Sequence, residues 1–328
     1  MSSNDAHQAP AIDSQELLRE AMLAYAEAAR APSTRRAYRV QWSTFAAWCE
    51  RCGRCPLPAE PGTLALFLAS RARDGIKVAS LGAALSAIRA AHLDASLSDP
   101  SAQPEFRAVW AGIRRTHGAP QRRVTPLTAD LVRAAVGAIP SQSLHDLRGR
   151  ALVLLGFTGA FRRSELVSLN VEDITPDPTR GLTVRLRRSK TDQAGAGADV
   201  QVPFGMAQDL CPVRAIEAWC AAAGVREGPL LRSVDRHGRV GGRLDGRDVA
   251  RLLKLIAARA GVDPALVSGN SLRAGMATSA ALSGRSDRAI MAQGRWASRM
   301  MVDRYVRPAG GWGDGAATGL LDEPRHSR

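Results

Sequence analysis

Two arginines, a lysine, an indole and a phenol follow one another from the middle of this chain onward. Together they can perform phosphoryl transfer without a metal. Arg162 lies in the run Thr158-Gly159-Ala160-Phe161-Arg162-Arg163-Ser164-Glu165-Leu166. Lys190 lies in Ser189-Lys190-Thr191-Asp192, and Arg273 in Asn270-Ser271-Leu272-Arg273-Ala274-Gly275. Trp296 stands in Gly294-Arg295-Trp296-Ala297, nine positions before Tyr305. A phosphodiester carries one negative charge and its pentavalent transition state carries more, so preorganised donors that meet the added charge are the largest catalytic contribution. Arginine suits that task because it is planar, permanently charged and bidentate. Lysine can lose a proton, so it can protonate a leaving oxygen. A phenol, with an ordinary pKa of about 10, attacks phosphorus when nearby cations favour its ionised form. Such an attack expels a 5′-oxygen and stores the bond energy in a phosphotyrosine.

Each residue also has a plainer reading. In a chain with 45 lysines and arginines, an arginine is usually a solvated surface group. Arg162 and Arg273 differ in setting, since each follows an apolar residue beside a helix end. Arg163 could stand in for Arg162, but its spacing from Gly159 is poorer. Glu165, three residues after Arg162, is either a simple surface pair or the group that orients that arginine. Trp296 offers one N–H donor and otherwise packs as core. Lys77, Lys190 and Lys254 are the only lysines, which gives weight to one inside a candidate site. Only three tyrosines exist; Tyr25 and Tyr38 fall in the helical N-terminal part, which leaves Tyr305 for the nucleophile.

The elements that must position these groups divide the chain. Its 328 residues exceed what one core usually serves, so two domains are expected. The formal net charge of +14 points to a polyanion, nucleic acid before membrane. The N-terminus lacks a secretory apolar segment, and the longest apolar run, 151–157, is too short to span a bilayer. The expectation is a cytoplasmic protein, nucleoid-associated if bacterial. Cys49, Cys52 and Cys55 form C-x2-C-x2-C, but no matching pair follows at finger spacing. They read as reduced structural thiols, and no metal site is expected.

Residues 1–13 read as a disordered N-terminus and 14–117 as a helical DNA-binding domain. Its first helix, 14–30, puts Leu17, Leu18, Met22 and Tyr25 on one face. Its second carries Tyr38, Trp42, Phe45 and Cys49 at helical spacing, and further helices follow over 63–72 and 80–92 and around Phe106–Ile113. Residues 118–126 form a basic linker broken by Gly and Pro, and 127–309 the catalytic domain. There, 147–156 reads as a buried helix. Residues 181–204 are the one clear strand region, with Leu182, Val184 and Leu186, then Val200 and Val202, alternating. Lys190 sits on the Gly/Ala-rich tip between the two runs. Helices resume over 212–223, 245–261, 271–283, 285–293 and 298–305, and the tail, 310–328, holds a short helix over 316–321.

The stretches STRRAYRVQWSTFAAWC, GAFRRSEL, RSKTDQ, GNSLRAG and IMAQGRWASRMMVDRYVR resemble those of the tyrosine recombinase (phage integrase) family. The resemblance runs from about Asp13 to about Asp322 and rests on the order and spacing of the motifs. It implies a mainly α fold with a small β-sheet in the C-terminal domain, the two domains forming a C-shaped DNA clamp. Arg162, Glu165, Lys190, Arg273, Trp296 and Tyr305 fall on the family's catalytic positions, with Trp296 where most members carry histidine. The partners implied are double-stranded DNA with paired half-sites and further copies of the chain, a dimer per site and a homotetramer in synapsis. The tail helix would dock into a neighbouring protomer. No cofactor is implied. DNA contacts are expected from Arg35, Arg36, Arg39 and Lys77, from Arg122 and Arg123 in the linker, and from Arg247 and Arg251 on the 245–261 helix.

One position departs from the family. Asn270 stands where histidine is normal. An amide can donate to a phosphate oxygen but cannot shuttle a proton near neutral pH. Slower cleavage or an altered balance between cleavage and religation is expected, and a catalytically weakened DNA-binding accessory of the same fold is the second reading. A topoisomerase IB-like relaxing enzyme is the third; the helical N-terminal domain and the tail helix speak against it.

Overall fold

The computed structural model describes residues 12–119, 124–140, 143–187, 197–303 and 305. The chain forms two compact units, Met1–Arg122 and Arg123–Arg328. Among the described residues, no helix is long and apolar enough to cross a membrane.

The first unit is helical: α1 Ile12–Ala28, α2 Pro32–Arg51, α3 Pro61–Arg73, α4 Val78–Asp94 and α5 Pro104–His117. Proline opens α2, α3 and α5, where its missing N–H costs nothing and its fixed φ already suits a helix. Phe45 and Cys49 of α2 are fully buried among Leu64, Phe67, Ile88 and Phe106. Trp42, half-buried, meets Phe45 edge to face at 5.8 Å. The apolar stripe of α1 behaves differently. Leu17, Leu18, Met22 and Tyr25 are all exposed, although their spacing is that of a core face. Periodicity establishes a stripe but not what covers it.

His92 is the fully buried imidazole of this unit. Its Nδ1 lies 2.8 Å from the Ile88 carbonyl and its Nε2 accepts the Ala59 N–H at 2.9 Å. That pairing requires the neutral ring with its proton on Nδ1.

The second unit is mixed. Its helices are α6 Ala129–Gly137, α7 Leu144–Thr158, α8 Arg163–Ser168, α9 Pro212–Ala223, α10 Gly246–Arg259, α11 Ser271–Leu282, α12 Asp287–Gly294 and α13 Arg299–Asp303. Strands β1 Ile174–Asp177, β2 Gly181–Leu186 and β3 Ala198–Pro203 form an antiparallel sheet in the order β1-β2-β3. Leu182 pairs with Val202 and Val184 with Val200, so the alternating residues of both runs share the buried face. The small sheet in a mainly helical fold is as expected. Strand β1 and a second ribbon, β4 Arg232–Val234 with β5 Val240–Arg243, add strands that no alternation in the sequence reveals. These strands are three or four residues long and contain Pro176, Gly241 and Gly242, too short and too strand-averse to show a period.

Helix α7 is the central element. Ser143 and Asp146 cap it reciprocally, and eight of its residues, from Arg148 to Gly156, are buried. Helix α11 seats against backbone: Leu127 N–H donates to Ser271 O at 2.9 Å. A Cβ at Gly275 would collide with Leu127 O, so only glycine allows this approach.

His92→Leu would leave the buried Ala59 N–H without an acceptor. The expected cost is about 1–3 kcal/mol of stability in urea denaturation of the full chain; an unchanged midpoint would show that the hydrogen bond contributes nothing net.

Candidate active site

Arg162 stands at the N-cap of α8, in extended backbone with φ −70° and ψ 151°. The turn that delivers it ends α7 at Gly159 and passes through Ala160 in the left-handed region at φ 46°. Glu165 lies one turn further on and is buried. Its Oε2 accepts the Arg162 backbone N–H at 2.9 Å and its Oε1 accepts Arg162 Nη1 at 2.5 Å. The carboxylate therefore holds the arginine at both ends.

Arg273 occupies the first turn of α11 and is 1% exposed. Its Nη1 donates to Ala160 O at 2.6 Å and its Nη2 to Gly294 O. Its guanidinium carbon lies 4.2 Å from the Trp296 ring centroid. The indole of Trp296 lies on the backbone of Gly294, where a Cβ would run into the ring. Trp296 and Tyr305 approach at 5.2 Å between centroids. Tyr305 is anchored through its backbone: its N–H donates to Val302 O at 2.8 Å and its carbonyl accepts from Thr278 Oγ1 at 2.9 Å. Ala160, Met276, Ala277, Ile290, Trp296 and Val302 form a separate small core against which it packs.

The fold thus gathers Arg162, Glu165, Arg273, Trp296 and Tyr305. Lys190 lies outside the described residues, as do Arg122, Arg123 and the 316–321 segment. Strand β3, which follows the Lys190 segment, is tied to the site: Gln293 Nε2 donates to Gln201 O at 3.0 Å and to Thr158 O at 2.7 Å. Asn270 is exposed at the N-cap of α11, three residues before Arg273, and its side chain does not bond the helix N-terminus. Its backbone N–H donates to Ser268 Oγ at 3.1 Å.

Arg295 is also part of this cluster, although the sequence motifs do not single it out. Its Nη2 reaches Glu165 Oε2 at 2.9 Å. The one signal that points to it is positional: an arginine closes α12 where glycine or asparagine is usual.

Arg162 and Arg295 pair with the one carboxylate, and Arg273 feels its charge without touching it, so the cluster carries two positive charges in surplus. Burial alone would raise the Glu165 carboxyl, but the Arg162 N–H, the Arg295 charge and the Arg162 guanidinium outweigh it and hold it below the ordinary range. Burial, then the Arg162 and Arg295 charges, push the Arg273 guanidinium down. Burial does the same to Arg295, with Glu165 opposing. Arg273 Nε and Trp296 Nε1 are buried donors without a partner among the described residues. Buried donors left unsatisfied are costly, and an anion within hydrogen-bond reach of either would satisfy it. The arrangement can hold a tetrahedral oxyanion beside a phenol.

The residues expected to contact DNA lie elsewhere. Arg35, Arg36 and Arg39 share α2, with Arg36 and Arg39 exposed; Lys77 is exposed at the N-cap of α4. Arg247, at the start of α10, and Arg251, one turn on, are exposed, each 3.3 Å from a neighbouring aspartate. Exposed pairs of this kind are weak, so a phosphate can displace them.

The sequence matches the phage integrase family over residues 126–310. It is 34% identical over 301 residues to an integrase/recombinase XerD homolog of Selenomonas ruminantium, covering 90% of this chain and 88% of that protein. It is 24% identical over 284 residues to the Cre recombinase of Escherichia phage P1, covering 80% of each. In fold it is similar to a lambda integrase fragment crystallised as a dimer on a COC′ core site, with a TM-score of 0.58 at 18% identity, covering 90% of this chain and 96% of that one.

The depressed Glu165 carboxyl sets a sign for pH dependence. Its folded pKa lies below the unfolded value, so its stabilisation is complete above the unfolded pKa and is lost as pH falls through the folded one. Glu165→Gln should remove part of the acid-induced loss of stability expected below about pH 4, followed by thermal melting across pH. Identical acid limbs in both proteins would contradict this.

Proposed function

The chain belongs to the phage integrase family of tyrosine recombinases, and we propose that it is a site-specific DNA recombinase working through a 3′-phosphotyrosyl intermediate. The observation that carries this reading is the stacking of Arg273 on Trp296 and of Trp296 against Tyr305, with the Arg162 charge acting on Arg273 and with buried donors of Arg273 and Trp296 unpaired among the described residues.

In the proposed reaction the Tyr305 oxygen attacks phosphorus and the bond to the 5′-oxygen breaks. Arg162 and Arg273 meet the charge gained by the phosphorane, and Trp296 Nε1 donates to a non-bridging oxygen. Lys190 gives its proton to the departing 5′-oxygen. The proton of Tyr305 passes to water, because Asn270 cannot carry it. A 5′-hydroxyl from the partner duplex then attacks the phosphotyrosine and gives its proton to Lys190, the tyrosine leaves and takes a proton from water, and a Holliday junction forms. A second round on the other strands completes the exchange. Four copies of the chain, two on each site, supply the four tyrosines. No metal or nucleotide enters this scheme.

The net charge of +14 suits a DNA partner. Arg35, Arg36, Arg39, Lys77, Arg122, Arg123, Arg247 and Arg251 are the proposed DNA contacts. Replacing any one of them by alanine should lower the salt dependence of DNA binding by about one unit of slope, if it touches a phosphate. The accessory-protein reading is favoured by one observation, the exposed amide at 270 in place of an imidazole. The gathered Arg162, Arg273, Trp296 and Tyr305 weigh against it.

Two outcomes are expected when the full chain meets DNA of its own replicon without metal. Adducts resistant to SDS should form and should vanish in Tyr305→Phe, while salt-sensitive DNA binding persists in both. Binding without adducts would replace the recombinase reading with the accessory one. Asn270→His should speed adduct formation by roughly 100-fold or more, the scale of a positioned acid–base group; an unchanged rate would show that water suffices.

A further inference from the structure

The residue between Gly294 and Trp296 stands in a backbone conformation that residues with a Cβ rarely adopt. Arg295 closes α12 at φ 56° and ψ 46°, the left-handed region that glycine enters without a steric cost. A glycine would cap this helix more comfortably. Strain of this kind persists where the surroundings over-determine it, commonly at functional sites.

The surroundings of Arg295 are specific. Nη1 donates to Gly159 O at 3.0 Å and to Gln293 O at 2.9 Å. Nη2 donates to Ala160 O at 3.1 Å and to Glu165 Oε2 at 2.9 Å. A guanidinium has four Nη hydrogens, and here four acceptors take them. The guanidinium also lies 5.2 Å from the Phe161 ring centroid. These Nη groups are therefore committed to protein and act on a substrate only through other residues, while the Nε is buried without a partner among the described residues.

What they join decides the role. Gly159 and Ala160 form the turn that delivers Arg162. Glu165 holds Arg162 at both ends. Gln293 lies in the last turn of the helix that leads into Trp296. Ala160 O is also the acceptor of Arg273 Nη1. One side chain thus connects the supports of Arg162, Arg273 and Trp296.

We propose that Arg295 is a positioning residue of the strand-transfer site: it fastens Glu165 and the 159–160 turn to the end of α12, so that Arg162 and Arg273 present their remaining N–H groups to the scissile phosphate. This rests on the recombinase reading. A displacement of about 1 Å in such groups is enough to cost about 100-fold in rate.

The test uses the full chain with Arg295→Gly, Arg295→Lys, Glu165→Gln and the double variant of Arg295→Gly with Glu165→Gln. Single-turnover adduct formation in Arg295→Gly should fall by about 30- to 100-fold, with DNA affinity within about threefold of the parent. Arg295→Lys keeps the charge but not the four-acceptor reach, so it should recover only part of the rate. The double variant should be within about threefold of the slower single variant, because both act through one network. Full activity in Arg295→Gly, or losses that multiply in the double variant, would overturn the proposal. If Arg295→Gly fails to fold, Arg295→Lys carries the same comparison of rate against affinity. If the parent chain forms no adduct, the recombinase reading fails and inorganic sulfate becomes the probe. A sulfate-induced rise in melting temperature that is lost in Arg295→Lys would support the positioning role. An equal rise in both, or none in the parent, would overturn it.

Discussion

Three largely buried arginines can stand together here because one carboxylate stands among them. Glu165 takes Arg162 on one oxygen and shares the other between the Arg162 backbone and Arg295. Without it, three guanidinium groups in a low-dielectric interior would repel one another with no internal compensation. With it, two positive charges remain in surplus. A single carboxylate makes the cluster foldable and still leaves it strongly attractive to an anion.

The rest of the second unit serves this balance through backbone carbonyls. Ala160 O accepts from both Arg273 and Arg295, and Gly294 O accepts from Arg273. These carbonyls lie at the ends of α7 and α12, where a helix leaves acceptors unpaired. The C-terminal ends of helix macrodipoles also favour cations. The glycines allow the close approaches that bring these ends together: Gly275 lets α11 rest on the Leu127 backbone, and Gly294 lets the Trp296 indole lie against its own chain. The sheet joins the same network through Gln293, which bridges Thr158 and Gln201.

The parts of the fold legible in the sequence are those with long, strong periodicity. The second half of helix α7 reads as an apolar run over 151–157 because it is buried on most sides, and β2 and β3 alternate because one face of the sheet is covered. Strands β1, β4 and β5 are too short to show a period. Helix α1 has the pattern of a core helix, yet its stripe is exposed. A hydrophobic pattern records a tendency to be covered and carries no address for the cover.

For the site, residue type and order along the chain pointed to phosphoryl transfer as an available chemistry, and the resemblance to tyrosine recombinases named the groups expected to perform it. Arginine, lysine, tryptophan and tyrosine have fixed chemistry, which the sequence states directly. Only the tertiary structure decided that Glu165 is shared, that Arg295 belongs to the cluster, and that the Arg273 guanidinium is half occupied by carbonyls. Those facts depend on contacts between residues more than 100 positions apart, such as Arg273 with Ala160 and Arg295 with Glu165. Hydrogen bonds are set by distance and direction in space, and the sequence separation of their partners carries no information about either.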